Sequence, residues 1–182
     1  MKLAVVSQSE LILQRREWKR NGKRVVCAMG VFDLLHPGHV RLLEQARGLG
    51  DILIVALQSD ESVRVSAEQG DKLIGAPSAP SPSAAVRNFV ARPITPAAER
   101  AEILEALAAV DFVAIFDEPT ACEFIARLAP EVLAQGGEAG SSENAYADDD
   151  AVKAAGGQVV RLPLEPGYST SRLVERISQL QA

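Results

Sequence analysis

Apolar residues fall in short dense runs, separated by longer stretches where they recur every three or four positions. Arg24–Met29 and Asp51–Leu57 are nearly continuous apolar runs of strand length, the pattern of strands buried on both faces of a parallel sheet. Asp111–Phe116, Glu131–Ala134 and Gln158–Leu162 read as further strands. Between them the spacing predicts helices. Glu10–Arg20 follows capping-box spacing at Ser7 and Glu10 and closes at Asn21-Gly22. Pro37–Leu49 precedes Gly50, and a short helix is expected within Ser59–Ser66. Thr95 as cap and Pro96 as first position open another helix, with an apolar stripe of Leu104, Leu107 and Val110. Thr120 and Glu123 form a second box, opening a helix to about Leu128. Asp148–Ala155 stops at Gly156-Gly157, and Thr170–Leu180 is the final helix.

Strands alternating with helices imply an α/β fold: a Rossmann-like, doubly wound parallel sheet of about five strands. Ligands in such sheets bind beyond the carboxyl ends of the strands. The loops Phe32–His39, Gln135–Glu138 and Gly167–Arg172 then share one edge.

A chain of 182 residues suits one core, so 1–182 reads as a single domain, with a helical extension over 1–23. Residues 76–85 are Pro/Ser/Ala-rich and of low complexity, so 68–91 reads as a loop or lid. Apolar residues at 47% and charged residues at 24% are ordinary for a soluble globular protein. A net charge of −5 argues against a nucleic-acid surface. The two cysteines suggest no disulfide framework and fit a reducing cytoplasm. The apolar run Leu3–Val6 is too short for a signal peptide, and no stretch is long enough to span a membrane. The expected setting is cytoplasmic, with no nucleic-acid or membrane partner and a homodimeric assembly.

The chemistry concentrates in Gly30-Val31-Phe32-Asp33-Leu34-Leu35-His36-Pro37-Gly38-His39, which holds both histidines of the chain. This run sits where a strand turns into a helix. A helix start offers free N–H groups and the positive end of the dipole, which suits phosphate. Gly38 lets backbone approach a ligand, and Pro37 suits a first helical turn. Two imidazoles beside such a turn suit charge stabilisation on a reacting phosphate. No cysteine pair or third clustered ligand completes a zinc site with them, so no protein-held metal is expected.

The pattern Gly-x-Phe-Asp-x-x-His-x-Gly-His resembles the signature of the nucleotidyltransferase superfamily, in its cytidylyltransferase-like branch. Further stretches resemble the adenylyltransferases of the ADP-heptose pathway: Arg92-Pro93-Ile94-Thr95-Pro96 with Glu99-Arg100, Ala108–Val113, Gly136-Gly137-Glu138 and Gly167-Tyr168-Ser169-Thr170-Ser171. The likeness runs from about Val25 to Ile177, interrupted around 68–91. It departs from the family pattern in three places. Ala28-Met29 stands where Thr-Asn is usual, Gln135 where lysine is usual, and a long loop where a short lysine-bearing one is usual.

The resemblance implies strand order 3-2-1-4-5 and transfer of an NMP unit, AMP rather than CMP, from NTP to a sugar phosphate resembling heptose 1-phosphate. His36, His39 and Arg100 would be catalytic. Gly30, Val31, Phe32, Asp33, Gly38, His39, Gly136, Gly137, Ser169, Thr170 and Ser171 would bind nucleotide, with the serine–threonine triplet on the outer phosphates. Asp33, Arg64, Lys72, Gln135 and Glu138 would face the acceptor. Mg²⁺ would arrive with the NTP. Asp33 reads equally as a residue at or near that metal and as a cap of the turn. Asp148-Asp149-Asp150 reads as an acidic first helical turn rather than a metal cluster. Two alternatives stand: a glycerol- or polyol-phosphate cytidylyltransferase, and a nucleotide-binding regulator that has lost turnover.

Overall fold

Five parallel strands form one sheet in the order β3-β2-β1-β4-β5: β1 (Val25–Gly30), β2 (Ile52–Gln58), β3 (Phe112–Phe116), β4 (Val132–Gly136) and β5 (Gln158–Leu162). The structure, a computed structural model, describes residues 6–68, 92–118, 121–137 and 143–180. The order expected from the resemblance is the one observed. β1 pairs with β2 on one side and β4 on the other, so the chain reverses direction across the sheet at β1 and β4. A crevice opens beyond the carboxyl ends of strands at such a reversal.

The helices are α1 (Gln8–Arg20), α2 (Pro37–Arg47), α3 (Asp60–Glu68), α4 (Ala97–Ala106), α5 (Cys122–Leu128), α6 (Glu143–Ala154) and α7 (Thr170–Gln179). Alternate residues of each strand enter opposite cores. Val26, Ala28, Leu53, Val55 and Ala134 pack with Leu42, Leu43 and Ala46 of α2 and Leu104 of α4. Val25, Cys27, Met29, Ile54 and Leu133 pack with Leu11 of α1, Phe124 and Ile125 of α5 and Val152 of α6. The continuous apolar runs were the right signal, because both faces of every central strand are covered.

The capping box of α1 forms: Glu10 N–H donates to Ser7 Oγ at 3.2 Å, and Ser7 N–H donates to Glu10 at 3.0 Å. The helix is clamped to the sheet. Leu11 is fully buried, Trp18 meets Phe112 at 5.1 Å, and Arg15 donates to the carbonyls of Leu128 and Ala129 and pairs with Glu131.

Several expected boundaries are corrected. α4 starts at Ala97 with Pro96 as N-cap and no side-chain cap, so Thr95 is not the cap. The Thr95 N–H is held by Asp33 and its carbonyl by Arg100. The N-cap of α5 is Ala121, again without a side-chain bond, so the expected box does not cap it; Thr120 lies outside the described residues. α6 begins at Glu143, which puts Asp148–Asp150 in mid-helix rather than in a first turn. Asp148 and Asp149 are buried there, and only Asp150 is exposed. The proposed lid over 68–91 lies outside the described residues beyond position 68, and Lys72 with it.

Candidate active site

The site begins where β1 ends. Phe32 takes a left-handed conformation with φ of 47° and turns its ring edge-on to His39, with centroids 5.3 Å apart. His36 is the N-cap of α2: its Nδ1 accepts the His39 N–H at 3.3 Å. A neutral imidazole has one donor nitrogen and one acceptor. With Nδ1 accepting, the proton of His36 is on Nε2, which remains a donor. The two rings stack at 3.7 Å and 15°. Two imidazolium ions could not share that spacing cheaply, and both groups are held neutral. Burial pushes His39 down to about 4, and the neighbouring His36 adds to it. Burial lowers His36 too. His39 Nδ1 is buried with no hydrogen-bond partner.

Gly38 is required at this point. A Cβ there would sit 3.0 Å from His36 Nδ1 and 3.1 Å from Cβ of Tyr168. The glycine opens the slot in which α2 meets the loop ahead of α7. There Ser169 is the N-cap, and its Oγ accepts the Arg172 N–H at 3.1 Å. The triplet Ser169-Thr170-Ser171 therefore starts α7 beside the histidine turn, with the unfilled N–H groups of a helix start.

Asp33 is a strut. Its buried carboxylate accepts from the N–H groups of Ile94 (2.7 Å) and Thr95 (2.9 Å) and from Arg92 (3.0 Å). Its partners lie in the 92–95 segment rather than in its own turn, so Asp33 ties that segment to the turn instead of capping it. Arg92 is the residue that the sequence places at the end of the 68–91 loop. Its link to Asp33 had no sequence signal, since 59 residues separate the two.

Arg100 corrects an expectation. It is fully buried on α4 and donates to the carbonyls of Thr95, Val31 and Gln58 and to Asp60 at 2.7 Å. A guanidinium has five N–H groups, and four are taken by the protein. Arg100 braces the loop after β1 against the end of β2 and is not presented to a phosphate. Arg64 is exposed on α3 and paired with Glu61.

Gly136 owes its place to packing. A Cβ there would meet Leu42 at 2.7 Å and Leu164 at 2.8 Å. Gly137 has φ of 102°, and its N–H donates to Leu162. Gln135 is buried and donates to Met29 Sδ at 3.9 Å, while its Oε1 has no partner. Glu138 lies outside the described residues.

Beneath the sheet edge, Cys122 Sγ donates to Asp148 Oδ1 at 3.1 Å, and Asp149 pairs with Arg161 at 2.5 Å. Burial raises Asp148 to about 6 against that thiol bond, and Asp149 adds to the rise. No group of three or more His, Cys, Asp or Glu is placed to hold a metal among the described residues. A concavity of about 630 Å³ lies at the far, amino-terminal edge of the sheet, lined by Lys19, Lys23, Arg24 and Glu131. It is remote from the histidines and has none of their chemistry. No helix among the described residues is long and apolar enough to cross a membrane.

Comparison with known proteins agrees with this arrangement. Residues 27–70, from β1 through α3, match the cytidylyltransferase-like family. The chain is 43% identical over 172 residues to a bifunctional protein HldE from Koribacter versatilis, covering 94% of this chain and 31% of that protein. It is 42% identical to a bifunctional protein HldE from Rhodopseudomonas palustris over 93% of this chain and 30% of the relative. The chain thus spans about three tenths of these curated relatives. A lipopolysaccharide core biosynthesis protein from Thermoplasma volcanium superposes with a TM-score of 0.52 at 23% identity, over 79% of this chain and 98% of that one. The pantothenate synthetase of Thermus thermophilus superposes with a TM-score of 0.57 at 16% identity, over 94% and 67%. These two likenesses show a shared fold.

Proposed function

We propose, from the premise that the chain belongs to the cytidylyltransferase-like nucleotidyltransferase family, that it transfers AMP from ATP to a heptose 1-phosphate-like sugar phosphate and releases pyrophosphate. The observation that carries this reading is the stacked histidine pair at the start of α2, facing the serine–threonine start of α7.

The acceptor's phosphate oxygen attacks the α-phosphorus, a new P–O bond forms, and the bond from the α-phosphorus to the bridging oxygen breaks. That electron pair leaves with pyrophosphate. A phosphate monoester has a second pKa near ~6, so it is largely ionised at neutral pH and needs no general base. Bringing two anions into line is the barrier, so positioning and charge neutralisation supply the catalysis. His36 offers its Nε2 proton to the α-phosphate, and His39 lies against the same turn. Anions entering the turn favour the protonated imidazoles, so the rings can take up positive charge as substrate binds. The amino termini of α2 and α7 would hold the phosphate chain, with Ser169, Thr170 and Ser171 on the leaving pyrophosphate.

Mg²⁺ would enter on the phosphates of the NTP. Among the described residues no group of three or more His, Cys, Asp or Glu is placed to hold it, so its ligands would come mainly from the phosphates and water.

One observation favours a second reading of the acceptor. Gln135 is neutral and turned onto Met29, so this position supplies no charge to the crevice. That suits an acceptor that makes no ionic contact at this position, such as a glycerol or polyol phosphate. Pyrophosphate release measured across a panel of NTPs and phosphorylated sugars and polyols separates the readings. ATP with heptose 1-phosphate is the expected pair. Nucleotide affinity with no turnover on any pair would contradict an enzymatic role.

A further inference from the structure

We infer that Tyr168 is a positioning residue for His36, holding the outer face of the histidine stack from the opposite side of the crevice. The rings run as a column. Phe32 sits edge-on to His39, His39 stacks on His36 at 3.7 Å, and His36 faces Tyr168 at 6.3 Å and 25°. The contacts of Phe32 with His39 and of His36 with Tyr168 fall in the range of about 4.5–7 Å over which aromatic pairs interact, and the two imidazoles are a closer face-to-face stack. The column continues to Arg41, whose guanidinium carbon lies 5.6 Å from the centre of the Tyr168 ring. Arg41 in turn pairs with Glu165.

This column joins two segments far apart in sequence. His36, His39 and Arg41 belong to the start of α2; Glu165 and Tyr168 belong to the loop between β5 and α7. Gly38 leaves the gap in which they meet, since a Cβ there would press on both His36 and Tyr168. The histidine ring is thus fixed on three sides: by the His39 amide at Nδ1, by the His39 ring, and by Tyr168. His36 is only half-buried, and Tyr168 beside it is exposed. Without the phenol ring, His36 keeps only its contacts with His39, and one face of its ring is left without a partner.

The groups facing His36 are His39, Tyr168 and, behind Tyr168, the Arg41–Glu165 pair. Removing the tyrosine ring opens His36 to water and lets its imidazole protonate more readily. It leaves the N-cap bond of Ser169 untouched. A Phe ring keeps the stack, so the effect belongs to the ring and not to the hydroxyl.

The inference rests on the proposed reading only in its kinetic arm. The test is an NMR titration of the two imidazoles in the wild type, Tyr168→Ala and Tyr168→Phe, with steady-state kinetics and a melting curve for each. In Tyr168→Ala, the His36 resonances should titrate at higher pH than in the wild type. kcat should fall tenfold or more while KM for NTP changes less than threefold. Tyr168→Phe should restore both. Unchanged His36 titration in folded Tyr168→Ala overturns the positioning role, whatever the kinetics show. A shifted titration in a protein whose wild type turns over no substrate pair supports the positioning role and contradicts the reaction instead.

Discussion

Gln135 and Met29 touch: the amide nitrogen of one lies 3.9 Å from the sulfur of the other, at the carboxyl ends of β4 and β1. These are two of the positions where the chain departs from the pattern of the enzymes it resembles. The two departures are in contact with each other. A polar partner is absent at 29, so the side chain at 135 lies on a thioether, and its Oε1 is buried without a partner.

Substituting this pair has a definite sign. Gln135→Lys brings a charge into a buried place beside Met29 and next to Arg161, its register partner on β5. An unpaired buried charge is costly, and a single change of this kind costs about 1–3 kcal/mol. Gln135→Met removes the orphaned oxygen and should leave stability unchanged or raised. Thermal melting of both variants checks this. A lysine variant that melts with the wild type would mean that position 135 opens to solvent.

Arg100 should behave as a structural residue. Removing it leaves three carbonyls without their donor and takes from the part-exposed Asp60 its cationic partner. Each buried polar group left unsatisfied costs about 1–3 kcal/mol. Arg100→Ala is therefore expected to lower the melting temperature sharply in urea or thermal unfolding. A variant with unchanged stability and lost turnover would return Arg100 to the phosphates.

The pH dependence of stability carries two opposed contributions. His39 sits at about 4 when folded, against an ordinary 6.5. As pH falls through that window the unfolded chain takes a proton that the folded one refuses, so stability drops. Asp148 sits at about 6 against an ordinary 3.8. Between those values the folded protein holds a proton that the unfolded chain has lost, so stability drops as pH rises. Asp148→Asn should raise stability at pH 7 by about 1–3 kcal/mol and steepen the rise between pH 4 and 6. Denaturant titrations at half-unit pH steps check this. Identical profiles for variant and wild type would show that Asp148 ionises freely in the folded state.

The sheet was legible because both faces of its strands are covered, which writes each strand as an unbroken apolar run. The histidine turn was legible for a different reason: a strand, a glycine, a proline and two histidines in fixed spacing leave few structural options. The helix starts read less well. Thr95 looks like a cap, yet Asp33 takes its amide from across the crevice, and only tertiary structure decides that competition. Arg100 was misread because a buried arginine and a phosphate-binding one look alike in sequence; burial and carbonyl partners distinguish them. The Asp148 run was misread because α6 begins five residues earlier than its glycine stop and apolar spacing suggested. Tyr168 gave no signal of its own, because its partner His36 lies far away in the sequence.

The most direct test of the proposed chemistry is His39→Ala, assayed for pyrophosphate release from ATP with heptose 1-phosphate, with melting followed alongside. His39 packs at the mouth of the sheet on Phe32 and His36, so the fold should survive its loss. A transition-state contact of this kind is worth ~2.7–4 kcal/mol, or roughly a hundred- to a thousandfold in kcat. A folded variant with turnover reduced by that factor is the expected result. A folded variant with turnover near that of the wild type would contradict the assignment of catalysis to the histidine pair.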